Sequence, residues 1–199
     1  MTADDATLGF YNREAETYAE YAAKEGRRSW LDQFMGKLRP GDHVLDFGSG
    51  PGWAAARLKE AGFTVDAIDG SEGLAAQAKA LYGLTVTVAQ FQDFSATDAY
   101  DGIWASFSLL HDERKAMPGH LGRLFKAMRP GGPLYVGLKE GEGMHRDDLG
   151  RRYTYYREAE LTDLVATAGF AEIETSIVAA TGFDGSPTNM LHLFARRPV

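Results

Sequence analysis

The sequence predicts an α/β fold, with a largely parallel sheet of seven strands and helices on both faces. Two observations lead to this prediction. Short apolar segments alternate with segments of helical periodicity along most of the chain, and the connections between them are short. A glycine-rich turn, GSGPG, follows the first apolar segment, as in sheets that bind ligands at the ends of their strands. The chain has 199 residues, 44% of them hydrophobic, and we assign residues 1–199 to one domain.

Each predicted strand is short and apolar, and most are followed by a helix. The predicted strands are HVLDF (43–47), FTVDAID (63–69), LTVTVAQ (84–90), DGIWASF (101–107), PLYVGLK (133–139), AEIETSIVAA (171–180) and NMLHLFARR (189–197). The predicted helices are PGWAAARLKEAG (51–62), SEGLAAQAKALYG (71–83), MPGHLGRLFKAMRPGG (117–132) and YREAELTDLVATAGF (156–170). Ser71 is the expected N-cap of the second helix, and Gly62 and Gly83 end the first two. The last two strands lack an intervening helix, so we expect them to pair antiparallel.

Two segments fall outside this alternation. The N-terminal segment, residues 1–40, is predicted to be helical and to form a lid over the functional edge of the sheet. The polar segment 140–157, which follows the fifth strand, is either a solvated loop with ion pairs to Asp147 and Asp148 or a cover over the substrate. Because it leaves the sheet at the functional edge, we interpret it as a substrate-side insert.

The composition argues against several kinds of function. The chain has no cysteine, which excludes disulfides, thiolate catalysis and cysteine-ligated metals. Its net charge of −7 disfavours a nucleic-acid interface, which needs clustered Lys and Arg. We find no spacing typical of a metal site, no apolar run that would span a membrane and no signal peptide. We expect a cytoplasmic protein, a monomer or a homodimer, with a small-molecule partner.

Acidic residues stand near the ends of the first three strands. Asp46 lies two residues before Gly48, where its charge would repel a pyrophosphate and favour a positively charged group such as an ammonium. Asp69, at the end of the second strand, is placed to bind both hydroxyls of a ribose. Asp93, with Phe94 beside it, is placed to accept a hydrogen bond from an adenine amino group. Ammonium, ribose and adenine together describe S-adenosylmethionine.

Two of these acids also have a purely structural interpretation. Asp46 would in that case bind amides of its own loop, and Asp93 would be a helix N-cap. We interpret Asp66, three residues before Asp69, as structural.

Five motifs occur in a fixed order over nearly the whole chain: VLDFGSGPG, VDAIDGS, FQDF, YDGIWASFSLLH and LRPGGPLYVGLKEGEG. By this ordered set the sequence resembles the class I S-adenosylmethionine-dependent methyltransferases of the small-molecule type. The resemblance implies a Rossmann-like sheet in the order 3-2-1-4-5-7-6, with strand 7 antiparallel. It also implies that Gly48, Gly50 and Gly52 lie under the methionine part of the cofactor, with Asp69 at its ribose and Asp93 at its adenine.

The resemblance extends the set of residues assigned to the cofactor. That set is Asp46, Gly48, Ser49, Gly50, Gly52, Asp69, Gly70, Gln92, Asp93, Phe94 and Ser106. Two positions depart from the family pattern. Phe47 stands where many relatives have a smaller residue, and Gln92 where many have glycine.

The candidate catalytic and substrate-binding residues come from three segments. His111, after the fourth strand, lies over the cofactor pocket in this architecture and is a general base, a helix cap or a passive wall residue. Tyr11, Tyr18 and Tyr21 share one helix face, which either attaches the N-terminal segment to the domain or lines the reaction chamber. The candidate catalytic residues are His111 and Tyr18, and the candidate substrate-binding residues are Tyr11, Tyr21, Arg152 and Tyr153.

These features predict an enzyme that transfers a methyl group from S-adenosylmethionine to a small-molecule acceptor. Two alternatives stay open. One is an NAD(P)-dependent oxidoreductase on a similar sheet, which is disfavoured by Asp46 and by the spacing G-x-G-x-G in place of G-x-G-x-x-G. The other is a non-catalytic protein that binds S-adenosylmethionine. The sequence does not identify the acceptor.

Overall fold

A computed structural model describes residues 4–24 and 28–199. The helices are α1 Asp5–Arg13, α2 Ala15–Lys24, α3 Arg28–Met35, α4 Trp53–Glu60, α5 Glu72–Tyr82, α6 Met117–Ala127 and α7 Glu158–Thr167. The strands are β1 His43–Phe47, β2 Thr64–Asp69, β3 Thr87–Val88, β4 Gly102–Ser106, β5 Pro133–Lys139, β6 Met144–Arg146, β7 Arg152–Thr154, β8 Ala171–Thr181 and β9 Pro187–Arg196. Short 3₁₀ turns lie at Phe91–Asp93, Leu109–His111 and Arg114–Ala116. Every predicted strand and helix of the alternating region is present.

Seven strands form one sheet in the order β3-β2-β1-β4-β5-β9-β8. The strands β1 to β5 pair in parallel, and β9 is antiparallel to both β5 and β8. The predicted order is confirmed, since β8 and β9 are the sixth and seventh predicted strands. The chain runs outward from β1 to β3 and then returns to β4 on the other side of β1. Ligands of open α/β sheets bind above the carboxyl ends of the strands at such a reversal.

Helices cover both faces of the sheet, as predicted. On one face, α6 and α7 bury Leu121 and Leu161 against the strands. On the other face, α4 buries Leu58 beside Trp104, whose ring stacks on Tyr135 with the centroids 3.8 Å apart. Because both faces are covered, the central strands are apolar along their whole length, which explains why they stand out in the sequence.

The start of α5 is fixed by side chains close to the functional edge. The Ser71 hydroxyl accepts a hydrogen bond from the Leu74 N–H at 3.1 Å, and Gly83 ends the helix in the left-handed conformation with φ of +65°. The predicted cap and stop are therefore confirmed. Since Ser71 follows Asp69 by two residues, the same cap sets the position of α5 relative to that acid.

Two elements differ from the prediction. The third strand, predicted over 84–90, is reduced to Thr87–Val88 at the sheet edge, where both residues are exposed and gain little from burial. The segment 140–157 contains the hairpin of β6 and β7. Its turn forms because the Asp147 carboxylate accepts the backbone N–H groups of Leu149 and Arg151, and Gly150 has φ of +81°.

The helical N-terminal segment has two parts with different environments. Asn12 of α1 accepts, through Oδ1, the Ser71 hydroxyl at 2.7 Å and the Gly73 N–H at 3.0 Å, so α1 lies on the start of α5. By contrast, α3 buries Leu31 and Phe34 completely against a face of the sheet. Residues 1–3 and 25–27 of the predicted lid lie outside the described residues. The lid, the insert and the single-domain assignment stay predictions.

Among the residues that the structure describes, no helix combines the length and the apolar composition needed to cross a bilayer. The same parts of the chain contain no group of three or more His, Cys, Asp or Glu side chains arranged to hold a metal ion.

Candidate active site

A cleft lies above the carboxyl ends of β1, β2 and β4. Its volume is about 950 Å³, including the space open to solvent at its mouth. The glycine turn, the end of β2, the turn after β3, the segment after β4 and the helices α1 and α2 form its walls. Of the residues assigned to the cofactor from the sequence, eight line the cleft: Asp46, Gly48, Ser49, Gly50, Asp69, Gly70, Gln92 and Ser106. Tyr11, Tyr18 and His111 line it as well.

The three glycines of the turn all have positive φ, but they face different neighbours. A Cβ atom on Gly48 would lie 2.1 Å from Ser108 Cβ, so this glycine allows the segment after β4 to come close. A Cβ atom on Gly50 would meet only the Tyr18 ring, at 3.9 Å, so the backbone there is open to the cleft. Gly52 faces Ala78 of α5 at 2.9 Å. Only the first two glycines line the cleft.

The Asp69 carboxylate joins the glycine turn to the start of α5. Its Oδ2 accepts the Gly50 N–H at 2.7 Å, and its Oδ1 accepts the Ser71 N–H at 2.8 Å. Burial raises the pKa of Asp69, and these backbone hydrogen bonds oppose the shift because they favour the charged form. Each carboxylate oxygen keeps a second lone pair, so the group can still accept hydrogen bonds from a ligand in the cleft.

Three buried oxygens at the cleft lack a hydrogen-bond partner within the described residues. They are Oδ2 of Asp46, Oγ of Ser49 and Oγ of Ser106. Asp46 is only 2% exposed, and burial followed by the charge of Asp69 raises its pKa to about 8. Buried polar atoms without a partner are rare in folded proteins and need an explanation. A polar ligand with hydrogen-bond donors would supply the missing partners.

Three residues assigned to the cofactor do not line the cleft. Gly52 packs against α5, and Asp93 is exposed in the 3₁₀ turn after β3. Phe94 is buried in the core, with its ring 5.2 Å from that of Phe47. The first two residues of the 3₁₀ turn, Phe91 and Gln92, line the cleft instead. The motif FQDF contains two phenylalanines, and the sequence alone does not show which of them faces the ligand.

His111 is held on both ring nitrogens. Its Nδ1 lies 2.7 Å from the Arg152 carbonyl oxygen, which can only accept, so Nδ1 carries the proton. Its Nε2, 2.9 Å from the Tyr11 hydroxyl oxygen, therefore accepts a hydrogen bond from that hydroxyl. Burial, helped by the nearby Arg151 and Lys139 cations, lowers the pKa of His111 to about 4. His111 is thus neutral at physiological pH, and its acceptor nitrogen is engaged with Tyr11.

The hairpin and the N-terminal helix are joined by a network of charged groups. Arg146 donates to both carboxylate oxygens of Asp4, at 2.6 and 2.8 Å, and Arg152 forms an ion pair with the same carboxylate at 3.2 Å. The Arg152 N–H donates to the Thr7 hydroxyl at 2.8 Å. The Arg152 side chain is therefore turned to Asp4 and lines neither the cleft nor the smaller cavity beside it. The sequence-based interpretation of Arg152 as a substrate ligand is not supported by this position.

A second, smaller cavity of about 370 Å³, open solvent included, adjoins the cleft. The two share the wall residues Tyr11, Tyr18, Phe107 and His111. The second cavity is otherwise lined by Tyr21, Leu110, Lys139, Arg151, Tyr153, Gly182, Phe183 and Met190. Tyr21 and Tyr153, two of the predicted substrate-binding residues, are therefore on its wall, together with Tyr11.

Phe107, Lys139, Phe183 and Phe91 are among the wall residues that sequence reasoning missed. Phe107 follows β4 with φ of +54°, which is uncommon for a residue other than glycine. It lies within the motif YDGIWASFSLLH, but nothing in that motif singles it out. Lys139 is the last residue of β5, as Asp69 is the last residue of β2. This position at the end of a strand is the only feature of the sequence that could have indicated Lys139. Phe183 comes from the turn between β8 and β9, where its ring contacts those of Tyr18 and Tyr21. The fourth, Phe91, is described above.

Residues 44–132 match the family model described as "Methyltransferase domain". A malonyl-[acyl-carrier protein] O-methyltransferase of Erwinia billingiae (strain Eb661) is 27% identical over 139 residues, which make up 68% of this chain and 54% of that protein. The chain thus spans about half the length of this curated relative.

Two solved structures have closely similar folds. The 1,6-didemethyltoxoflavin-N1-methyltransferase of Burkholderia thailandensis, with bound 1,6-didemethyltoxoflavin and S-adenosylhomocysteine, is 21% identical, with a TM-score of 0.79 over 98% of this chain and 88% of that one. A chain of the complex between the Haloferax volcanii Trm112 methyltransferase activator and the putative methyltransferase is 19% identical, with a TM-score of 0.76 over 97% and 98% of the two chains. At these identities the similarity shows the fold. Residues 44–132 thus resemble a methyltransferase domain, and the whole chain shares the fold of these two structures, in agreement with the resemblance predicted from the motifs.

Proposed function

We propose that this protein transfers a methyl group from S-adenosylmethionine to a small-molecule acceptor. The observation that carries the proposal is the group of three buried, unpartnered oxygens beside the open backbone of Gly50. A ligand that satisfies them needs a cationic donor group at Asp46 and further polar groups nearby. The methionine part of S-adenosylmethionine has an ammonium and a carboxylate, which match these needs.

The cleft residues fit the remaining parts of the cofactor. Asp69 would accept from the ribose hydroxyls through the lone pairs that Gly50 and Ser71 leave free. The ring of Phe91 and the side-chain amide of Gln92 would contact the adenine. We therefore transfer the adenine contact proposed for Asp93 and Phe94 to these two neighbours.

S-adenosylmethionine, when bound, supplies a methyl group on a sulfonium, which a lone pair of the acceptor displaces to leave S-adenosylhomocysteine. The contribution of the chain is to position the acceptor and to exclude water. Tyr11, Tyr18 and Phe107 stand where the cleft meets the second cavity. Aromatic faces near a cation stabilise it by roughly 1 kcal/mol each. These rings are therefore suited to the region where the reacting atoms meet.

His111 acts, in this proposal, as a positioning residue. A base with a pKa of about 4 removes a proton at neutral pH only from an acceptor that is itself acidic. Its hydrogen bond to Tyr11 instead fixes that ring on the wall shared by the two cavities. Tyr18, at the same wall, packs edge-on against Tyr11 with the ring centroids 4.9 Å apart.

The proposal includes the finer expectations from the sequence. Residues 1–40 act as a lid over the cleft, and the insert 140–157 forms the outer wall of the acceptor cavity. The net charge of −7 favours a small molecule over a nucleic acid as partner, and the lack of cysteine is compatible with a cytoplasmic protein. The protein is a monomer or a homodimer.

Calorimetric titration tests the proposal against both alternatives. We expect S-adenosylmethionine and S-adenosylhomocysteine to bind and NADH not to bind, because NADH has no cationic group that would pair with Asp46 and stabilise its charged form. Binding of NADH alone would favour an oxidoreductase. Binding of S-adenosylmethionine without turnover on any acceptor of a broad panel would favour a non-catalytic binder.

Replacing Asp69 tests the ribose contact. Asp69→Asn keeps one acceptor oxygen, so we expect it to weaken binding of S-adenosylhomocysteine by about tenfold to a hundredfold and to lower stability by about 1–2 kcal/mol. Asp66→Asn is the matched control, since Asp66 lies on the same strand and pairs instead with His43 and Tyr100. Equal affinities in the two variants would exclude Asp69 as a cofactor ligand.

A further inference from the structure

The second cavity contains a buried cation without an ion-pair partner. Lys139, at the end of β5, is 6% exposed, and its Nζ lies 3.8 Å from the centroid of the Tyr153 ring. In the described parts of the chain, Lys139 forms neither a hydrogen bond nor an ion pair that would neutralise it. Its three N–H donors are therefore available on the cavity wall. Burying a charge in this way is unfavourable unless a partner neutralises it.

The other charged groups around the cavity are already engaged. Arg151 forms a buried ion pair with Asp147, whose Oδ2 it contacts at 2.6 Å through Nη2 and at 2.9 Å through Nε. The Asp184 carboxylate influences Lys139 from a distance beyond an ion pair. Its Oδ1 instead accepts the Ser186 N–H at 3.1 Å and the Ser186 hydroxyl at 2.7 Å, which hold it in its own turn. Neither carboxylate is placed to neutralise Lys139 directly.

Aromatic rings form most of the remaining wall. Tyr18 and Tyr21 stand on one side and Phe183 packs edge-on against both, with ring centroids 5.4 and 5.1 Å away. Phe107 and Tyr153 also line the cavity. Flat apolar rings around a narrow space favour a flat ligand, which stacks on them or meets their edges. The space between these rings, about 370 Å³ with open solvent included, is continuous with the surface of the protein.

His111 and the buried tyrosines Tyr11 and Tyr153 do not provide a base for neutral pH. His111 is neutral, with its acceptor nitrogen bonded to Tyr11, and its pKa is lowered to about 4. Burial raises the pKa of Tyr11 and of Tyr153 well above the usual tyrosine value, so both hydroxyls keep their protons. An acceptor whose reacting group must lose a proton is therefore best bound in a form that has already lost it.

We propose that the second cavity binds the methyl acceptor as a planar aromatic anion, with Lys139 Nζ donating hydrogen bonds to its anionic oxygen. The ring of the acceptor lies among Tyr18, Phe107 and Phe183. Its reacting atom faces the cleft at the place where the two cavities meet. This inference rests on the proposed methyl transfer and adds to it the chemical class of the acceptor.

Matched acids and amides test the role of the charge. The probes are benzoate, 4-hydroxybenzoate and indole-3-carboxylate, each paired with its neutral amide, titrated calorimetrically with and without saturating S-adenosylhomocysteine. We expect at least one acid to bind at least about tenfold more tightly than its amide, because the charge-assisted hydrogen bond from Lys139 is lost with the amide. If no acid of the series binds more tightly than its amide, the proposal is overturned.

The Lys139→Met variant tests whether Lys139 recognises the negative charge of the ligand, and Lys115→Met is its control. The Lys115 side chain is 64% exposed and pairs with Glu113 outside the cavity, so its variant should keep the preference for acids. Lys139→Met should abolish the preference and raise the melting temperature, because it removes a buried, unneutralised charge. An acid preference that survives in a folded Lys139→Met variant would overturn the assignment.

The two levels of the proposal fail in different ways. Lys139 does not line the cofactor cleft, so both lysine variants should bind S-adenosylhomocysteine with the parental affinity. If S-adenosylhomocysteine binds and the acids show no preference, only the nature of the acceptor is wrong. If S-adenosylhomocysteine itself does not bind, the proposed methyl transfer is wrong.

Discussion

Individual residues of the glycine turn serve different purposes, although the sequence presents them as one motif. Gly48 makes room for Ser108, Gly52 makes room for α5, and only Gly50 has open space at the position of a Cβ atom. The motif therefore combines two packing requirements with one binding requirement. A substitution at Gly50 should affect the ligand directly, whereas substitutions at the other two should act through the fold.

Gly50→Val should abolish binding of S-adenosylhomocysteine. The branched side chain would project into the cleft, and the positive φ of +53° adds backbone strain of about 1–3 kcal/mol. Gly62→Val is the matched control, since Gly62 also has positive φ, at +92°, but its Cβ would meet nothing within 4 Å. We expect comparable losses in melting temperature and a loss of calorimetric binding in Gly50→Val alone. Parental affinity in a folded Gly50→Val protein would show that the ligand does not lie on this turn.

The Asp46 carboxyl should make binding depend on pH. Its pKa is raised from the ordinary value of 3.8 to about 8. At a pH between these two values, the folded, ligand-free protein therefore keeps a proton that the unfolded chain has released. The stability of the ligand-free protein therefore falls as pH rises through this window. A bound ammonium favours the charged carboxylate, so binding should expel the proton. We expect the affinity for S-adenosylhomocysteine to increase from about pH 6 to about pH 8, by up to about tenfold per pH unit.

Calorimetry in two buffers of different ionisation enthalpy measures the expelled proton directly. Asp46→Asn should bind more weakly, show no such pH dependence and melt at a higher temperature than the parent at about pH 8, because it lacks the buried charge. Asp32→Asn, at an exposed site paired with Arg57, should behave like the parent. A pH dependence that persists in Asp46→Asn would assign the proton to another group.

At the scale of elements, the sequence predicted the core well because local and long-range signals agree there. The parallel strands are buried on both faces and read as apolar runs, and the Ser71 cap and the Gly83 stop fix α5 from sequence alone. The hairpin β6–β7 was missed because its stability comes from Asp147 and its contacts with α1, and neither produces a hydrophobic pattern. Phe183 was missed for the same reason, since only the tertiary fold brings the β8–β9 turn to Phe10 of α1 and to Tyr18 and Tyr21 of α2.

Asp4 connects two elements that the sequence showed as separate segments. Its carboxylate caps α1 by accepting the Thr7 N–H and also pairs with Arg146 and Arg152 of the hairpin. The Arg146 guanidinium, the largest influence, holds the pKa of Asp4 well below its usual range. The stability that Asp4 contributes is therefore fully present above the ordinary pKa of 3.8 and is lost as pH falls below it.

Asp4→Asn should loosen the contact between α1 and the hairpin. At pH 7 we expect a loss of about 1–2 kcal/mol, which lowers the melting temperature by roughly 2–8 °C, and faster dissociation of S-adenosylhomocysteine. Asp5→Asn, at the exposed neighbouring position, is the control. The difference between the two variants should shrink as the pH is lowered below 3.8. An unchanged dissociation rate would mean that the position of α1 does not limit ligand release.

At the scale of the whole molecule, two parts of the fold form the cleft, the sheet and the first two helices. The reversal of strand order beside β1 places the cleft, and β1, β2 and β4 supply its floor. The roof comes from α1 and α2, through Leu8, Tyr11 and Tyr18. The third N-terminal helix belongs instead to the core, where Leu31 and Phe34 pack beside Trp104. The N-terminal segment therefore contains a boundary between roof and core that a truncation series can locate.

Deletion of residues 1–25 should leave a folded protein that binds S-adenosylhomocysteine more weakly and transfers methyl groups much more slowly. The deletion removes α1 and α2, and with them the Tyr11 and Tyr18 rings that exclude water from the reacting groups. Deletion of residues 1–36 also removes α3 and exposes the face of the sheet around Trp104, so we expect that protein to lose its cooperative melting transition. Circular dichroism, calorimetry and a methyl-transfer assay distinguish the two. If the shorter deletion turned over at the parental rate, α1 and α2 would not form the lid. If the longer deletion still melted cooperatively, α3 would not belong to the core.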